Sequence, residues 1–86
     1  MTRAQIVDRV REIVISVAGP HRTPLEPGPS TALGQGGFWL DSIAMLELVI
    51  ACEEDFGVTF DSATDMTEES LKTVESLAAL IVSKRS

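Results

Sequence analysis

The chain is poor in the side chains from which proteins build metal sites and covalent cross-links. Its 86 residues include one cysteine, Cys52, and one histidine, His21. A lone cysteine cannot form an internal disulfide, and these two residues together cannot supply a Cys/His metal site. No apolar run approaches the ~20 residues of a membrane span, and the first residues lack the apolar block of a secretion signal. We therefore expect one small cytoplasmic domain, spanning residues 1–86, with no membrane association.

Positive charge is scarce in the middle of the chain. Between residues 41 and 75, ten acidic side chains oppose Lys72 alone, and the net charge of the whole chain is −6. Such a segment repels nucleic acid and anionic membranes, because binding to either depends on Lys and Arg neutralising phosphate. It attracts proteins with basic patches. The alternative is that these acids only solvate a helix face.

Periodicity predicts a first helix that ends near Ala18. Thr2 and Gln5 have the spacing of a capping box, and Gly19 and Pro20 supply a stop. Apolar residues recur between them at steps of three and four: Ile6, Val7, Val10, Ile13, Val14 and Val17. The next segment, residues 19–40, holds all four prolines and five of the six glycines. It therefore cannot form a continuous helix, and we expect a long loop held to the core by Leu25, Leu33, Phe38 and Trp39.

Three further helical segments are predicted after the loop. Asp41 or Ser42 can cap the second helix, which Gly57 ends. Thr67 begins a short helical turn up to about Leu71, and Thr73 caps a final helix that runs to about Lys84. In the second helix the pattern places four acids toward solvent, Glu47, Glu53, Glu54 and Asp55, and an apolar stripe toward the core, made of Ile43, Leu46, Val49, Ile50 and Phe56. The predicted fold is all-α, a small four-helix bundle of three main helices and one short helix, with a long first loop.

The chain lacks the residues that most catalytic mechanisms need. Ser42 could act as a nucleophile only with a base nearby, and the only histidine, His21, lies in the proline-rich loop. Asp41 is a weak base at neutral pH, and no G-x-S-x-G elbow occurs. Residues 34–37, Gly-Gln-Gly-Gly, are followed by no Lys-Ser/Thr pair, which disfavours nucleotide binding. Ser42 is instead suited to attachment, because a helix N-terminus favours an anionic group such as a phosphate ester. Taken alone, however, Asp-Ser before an apolar run is more typical of an ordinary N-cap.

The segment from Asp41 through Val49, followed by residues 53–58, resembles the acyl and peptidyl carrier protein family. The resemblance covers essentially the whole chain and includes residues 66–74, which look like the short-third-helix segment of carriers. It implies that Ser42 accepts 4′-phosphopantetheine from coenzyme A, transferred by a separate magnesium-dependent phosphopantetheinyl transferase. The terminal thiol would then hold an acyl or aminoacyl group as a thioester.

The resemblance also implies roles for the residues around Ser42. Asp41 would contact the transferase, and Ile43 would anchor the helix start and line the exit of the arm. Glu47, Glu53, Glu54 and Asp55 would be read by basic patches on acyl-loading and acyl-processing enzymes. Two positions depart from the family pattern: Trp39 replaces a common glycine, and Ala44 replaces a common acid. Trp39 and Leu40 would pack on the arm or on the loop, and we expect Trp39 to fill the core, since tryptophan mostly supplies buried area.

The functional expectation is a stand-alone, monomeric acyl carrier protein that is not itself an enzyme. We expect it to serve secondary-metabolite biosynthesis, of polyketides or related compounds, with a polar or small cargo. One alternative is an aminoacyl or peptidyl carrier of a nonribosomal peptide-type pathway. Others are a carrier-like docking module that is never modified, and a minimal serine hydrolase that uses His21.

Overall fold

The computed structural model describes residues 1–85, which form three helices joined by long connections. Helix α1 spans Arg3–Ala18, α2 spans Ser42–Phe56 and α3 spans Val74–Arg85. Helix α1 packs against both α2 and α3. The described residues contain no β-strand, and their only β-type pairing is an isolated antiparallel bridge between Ala32 and Thr73. The all-α class predicted from the sequence is confirmed.

The first helix has the boundaries and the capping box that its sequence predicts. The hydroxyl of Thr2 accepts a hydrogen bond from the backbone N–H of Gln5 at 3.2 Å, and the side chain of Gln5 accepts one from the N–H of Thr2 at 2.8 Å. Gly19 ends the helix with φ +78°. The buried residues of this helix are four members of the predicted apolar stripe: Ile6, Val10, Ile13 and Val14.

The second helix buries only part of the predicted stripe, namely Val49 and Phe56. Ala44, Leu48, Val49, Cys52 and Phe56 are buried, whereas the exposed fractions of Ile43, Leu46 and Ile50 are 72%, 52% and 45%. The expected burial of these last three residues is therefore wrong. Apolar side chains surround most of the circumference of α2, so periodicity alone does not define one core face. Packing against α1 and the loops selects it.

The short helix expected from Thr67 to Leu71 is a single turn. The hydroxyl of Thr67 accepts from the N–H of Ser70 at 3.1 Å, and its carbonyl accepts from the N–H of Leu71 at 3.1 Å. The turn does not propagate, because Thr73 caps α3 only two residues later: its hydroxyl accepts from the N–H of Ser76 at 3.0 Å. The described residues therefore contain three helices rather than the four expected.

The long first loop is fixed to the start of α3 by backbone hydrogen bonds. Leu33 N–H donates to the carbonyl of Lys72 at 2.9 Å, Val74 N–H donates to Thr31, and Glu75 N–H donates to Pro29 at 2.7 Å. Leu33 and Phe38 are fully buried, as expected.

Two of the predicted loop anchors do not reach the core. Leu25 is fully exposed and Trp39 is 60% exposed. The core beside Trp39 is already filled by its neighbours Phe38 and Leu40, which are both buried. The expectation that Leu25 and Trp39 pin the loop is therefore wrong.

The connection between α2 and α3 is anchored at two points, Phe60 and Asp65. Phe60 is buried without forming a strand. Asp65 pairs with Lys84 of α3 at 2.5 Å. No helix among residues 1–85 combines the length and the apolar character needed to cross a bilayer.

Candidate functional site

The start of α2 assigns separate roles to Asp41 and Ser42. Asp41 is the N-cap: its Oδ1 accepts from the N–H of Ala44 at 2.8 Å, and its carbonyl accepts from the N–H of Met45 at 2.9 Å. Ser42 is the first residue of the helix and is exposed. Its hydroxyl makes no hydrogen bond within residues 1–85. Because Asp41 supplies the cap, the Ser42 hydroxyl is left available for chemistry.

The backbone around Ser42 suits an anionic substituent. The first N–H groups of a helix have no intrahelical acceptor, and in the described part of the chain nothing accepts from the N–H of Ser42 or Ile43. The positive end of the helix dipole adds to the attraction for negative charge. A phosphate ester on the Ser42 oxygen would meet both, so the residues present fit a phosphopantetheine group.

The loop before α2 positions Ser42 through a close backbone crossing. Phe38 N–H donates to the carbonyl of Ala32 at 2.9 Å, and Leu40 N–H donates to that of Leu33 at 3.0 Å. A Cβ on Gly37 would lie 2.0 Å from the carbonyl oxygen of Ala32. Only glycine allows this approach, which brings the buried side chains of Phe38 and Leu40 into the core on the two sides of Trp39.

Trp39 has an unusual backbone conformation for a side chain of its size. Its φ is +56°, and it is the only residue besides glycine with a positive φ among those described. Its N–H donates to the carbonyl of Gly34 at 2.9 Å, which holds the conformation in place. A left-handed backbone at this position explains why a glycine would be favourable here. A bulky residue in this conformation is strained, and such strain persists only where the surrounding structure stabilises it.

The four predicted recognition acids of α2 fall into two pairs. Glu47 and Glu54 are exposed and make no ion pair or side-chain hydrogen bond within residues 1–85. Glu53 accepts from the N–H of Phe60 at 2.8 Å. Asp55 accepts from Arg9 Nε at 2.8 Å and from Nη2 at 2.6 Å, and the hydrogen bonds from this guanidinium lower the pKa of Asp55. Glu53 and Asp55 therefore bind other parts of the fold, and of these four acids only Glu47 and Glu54 have a carboxylate with no hydrogen-bond or ion-pair partner within residues 1–85.

Exposed apolar side chains alternate with these two acids along one face of α2. Ile43, Glu47, Ile50 and Glu54 follow one another at steps of four, three and four residues, and Leu46 lies next to Ile50 at the same spacing. Side chains at these spacings share one helix face. This face, which the sequence pattern assigned in part to the core, combines exposed isoleucine with free carboxylate directly after Ser42.

His21 does not complete a catalytic arrangement with Ser42. It lines a surface groove of about 480 Å³ together with Arg22, Asp41, Ile43 and Glu47, and it makes no hydrogen bond to Ser42 in the described residues. Arg22 Nη2 lies 4.0 Å from the carboxylate of Asp41. The sequence reasoning missed this cation, because nothing in a loop sequence shows that it folds back to the helix start.

A second groove, of about 570 Å³, lies between the first loop, α2 and the turn that precedes α3. Met45 and Leu71 contribute apolar lining, and four polar residues surround them: Gln35, Glu68, Glu69 and Lys72. Met45 follows Ser42 by three positions, which places both on adjacent turns of the same side of α2. No group of His, Cys, Asp and Glu side chains among residues 1–85 is arranged to hold a metal.

Comparison with known proteins agrees with this geometry. The family model described as "Phosphopantetheine attachment site" matches residues 8–81. A curated protein named "Acyl carrier protein", from Cyanidioschyzon merolae (strain NIES-3377 / 10D), is 38% identical over 66 residues, which cover 76% of this chain and 69% of that protein. No solved structure matches significantly.

Proposed function

The chain belongs to the phosphopantetheine attachment-site family, and from this premise we propose that Ser42 is the residue that carries the group. The protein is a carrier and not an enzyme. The observation that supports Ser42 is its exposed hydroxyl, released from capping by Asp41 at the start of α2. Bound 4′-phosphopantetheine supplies a flexible arm whose terminal thiol holds an acyl-type intermediate as a thioester.

The residues around Ser42 would orient the attachment. The N–H groups of Ser42 and Ile43 donate to no acceptor within residues 1–85 and are available to a phosphate on the serine oxygen. Asp41 keeps the first turn of α2 intact, which holds these donors in place. Ile43, at 72% exposure, would contact either the arm or the transferase that installs it.

Partner enzymes would read the exposed face of α2. Glu47 and Glu54 offer unpaired carboxylates to basic patches, and Ile43, Leu46 and Ile50 offer apolar area between them. Charge complementarity of this kind steers association more than it sets final affinity. Glu53 and Asp55 would contribute mainly by supporting the helix, given their partners within the protein.

The cargo we propose is an acyl group of a secondary-metabolite pathway, such as polyketide synthesis, carried by a monomeric protein. The polar rim of Gln35, Glu68, Glu69 and Lys72 around the second groove favours a small or polar cargo over a long lipid. An aminoacyl or peptidyl cargo would use the same serine and the same arm. The cytoplasmic location expected from the sequence stays a prediction.

The attachment is tested by mass spectrometry of the intact protein after incubation with coenzyme A, magnesium and a broad-specificity phosphopantetheinyl transferase. We expect a mass gain of one phosphopantetheinyl group in the wild type and in Ser62→Ala, a change at another exposed serine. Ser42→Ala should gain nothing. A gain that persists in Ser42→Ala would place the attachment elsewhere, and no gain in the wild type would favour an unmodified docking module.

A thiol assay gives a second readout of the same step. Cys52, the only cysteine, is buried, and burial raises the pKa of its thiol to about 12. Reactive thiols are exposed thiolates, so native unmodified protein should not react with a thiol reagent near pH 8. After modification one thiol per chain should react at once. Rapid reaction of the unmodified protein would contradict the burial of Cys52.

A further inference from the structure

We propose that Trp39 is a positioning residue for the arm: its indole ring forms the surface on which the first segment of the arm rests. This inference depends on the proposed attachment at Ser42. It concerns a large, exposed side chain on a left-handed backbone that would suit glycine. Three observations support it: a strained backbone, an exposed ring and the position of both beside Ser42.

The backbone of Trp39 is held in a conformation that large side chains avoid. With φ at +56°, it occupies the left-handed region that glycine enters freely. The hydrogen bond from its N–H to the carbonyl of Gly34 and the burial of Phe38 and Leu40 hold it in this conformation. Strained residues persist where the surrounding structure determines them, and they concentrate at functional sites.

Core packing does not explain the tryptophan. The side chain is 60% exposed, although tryptophan usually contributes by burying its large area. Within residues 1–85 its indole N–H donates no hydrogen bond, and the one cation that stacks on an aromatic ring, Lys84, does so on Phe60. The ring therefore presents both an apolar face and a free donor to its surroundings.

Geometry puts that ring within reach of a group on Ser42. Ser42 lies three positions after Trp39, so their Cα atoms lie at most about 11 Å apart. The backbone between them is fixed, since Leu40 is buried and Asp41 caps α2. Exposed Ile43 follows Ser42 directly. The attachment point is thus flanked along the chain by two exposed apolar side chains, Trp39 and Ile43.

The chemistry of the arm matches this surface. Beyond its phosphate come a carbon that bears two methyl groups, then a hydroxyl and an amide. Methyl groups pack favourably on an aromatic face, and the hydroxyl or amide oxygen can accept from the indole N–H. The ring would thus restrict the first part of the arm and leave its thiol end mobile.

Nuclear magnetic resonance of the fully modified protein tests the contact directly. We expect nuclear Overhauser effects between the indole protons of Trp39 and the two methyl groups of the arm. Because the chain has one tryptophan and no tyrosine, its fluorescence reports on the same ring. Quenching by acrylamide should weaken on modification, with the emission shifting to shorter wavelength.

Controls separate this inference from the attachment itself. Ser42→Ala treated with the same transferase should keep the fluorescence of the unmodified protein. In modified Trp39→Gly, which suits the left-handed backbone, the methyl groups of the arm should show faster motion by relaxation measurements than in the modified wild type. Absence of any mass gain would refute the attachment. A complete mass gain with unchanged Trp39 fluorescence, no Overhauser effects and equal methyl motion in both proteins would overturn the role of Trp39.

Discussion

At the scale of single residues, the loop before Ser42 contains two positions with opposite steric demands. Gly37 has no room for a Cβ, because the carbonyl of Ala32 occupies that space. At Trp39 there is room for the largest side chain, but the left-handed backbone favours glycine. Both demands arise from the same crossing of residues 32–34 with residues 37–40. Gly37 is thus required for lack of space, whereas at Trp39 glycine would be favoured by the backbone conformation and not by lack of space.

This contrast predicts that substitutions at the two positions affect stability to different extents. Gly37→Ala should destabilise the protein by about 1–3 kcal/mol, the usual cost of overpacking. Trp39→Gly should change the free energy of unfolding by less than about 1 kcal/mol, because relief of left-handed strain offsets the greater freedom of glycine in the unfolded chain. Urea denaturation curves compare the two. A large loss of stability in Trp39→Gly would mean that the indole supports the fold.

At the scale of elements, different parts of α2 have different roles. One side, which includes Leu48, Val49 and Cys52, is buried in the core. Its C-terminal turn is joined to α1 by Arg9 and Asp55 and to the following connection by Glu53 and Phe60. The remaining face exposes Glu47 and Glu54 among apolar side chains. Acids of the same type therefore have different functions according to their position around the helix.

Neutralising these acids should separate docking from stability. Glu47→Gln and Glu54→Gln should each lower kcat/KM of the phosphopantetheinyl transferase by about 1.5- to 5-fold, which corresponds to the 0.2–1 kcal/mol typical of an exposed ion pair. The melting temperature should stay unchanged, and the effect should fade at high salt.

Asp55→Asn is the matched control on the same helix. It should lower the melting temperature, because Arg9 loses its partner on α2, and it should leave kcat/KM nearly unchanged at a temperature where the variant is folded. If all three variants reduced kcat/KM equally without affecting melting, the division of the acids into two pairs would be wrong.

At the scale of the whole molecule, two carboxylates connect parts of the chain that are distant in sequence. Asp55 joins α2 to Arg9 of α1, and Asp65 joins the second connection to Lys84 of α3. The hydrogen bonds from Arg9 lower the pKa of Asp55, and the hydrogen bond from Lys84, aided by the backbone N–H of Asp61, lowers that of Asp65. Both connections require the ionised carboxylate.

These shifts predict how stability depends on pH. The pKa of each group is lower in the folded state than in the unfolded chain, where Asp titrates near pH ~3.9. The unfolded state therefore binds more protons in this range, and the free energy of unfolding rises with pH until the unfolded carboxylates are ionised. Stability should be level from neutral pH to about pH 5 and fall below about pH 4. Denaturation series across pH 2.5–7 measure this.

The variant Asp55→Asn/Asp65→Asn identifies the source of the pH dependence. It should be less stable at pH 7 and should lose less stability on acidification than the wild type, since two of the responsible groups no longer titrate. An equally steep acid loss in this variant would assign the dependence to other carboxylates.

The sequence by itself determined the features that depend on local chemistry. The capping box of Thr2 and Gln5, the stops at Gly19 and Gly57 and the cap at Thr73 all follow from hydrogen bonds or backbone preferences within a few residues. The all-α class and the resemblance to carrier proteins depend on the same short-range patterns. A pattern read within one segment predicts these well, because the interacting groups are neighbours in the chain.

The tertiary structure alone decided which side of α2 faces the core, which acids of α2 remain free and whether Trp39 is buried. An apolar helix surface has no preferred face until α1 packs against it. Glu53 and Asp55 acquire partners only through Phe60 and Arg9, and Trp39 is exposed because Phe38 and Leu40 occupy the space beside it. Each outcome depends on competition among distant groups for the same contact or volume, which no local pattern contains.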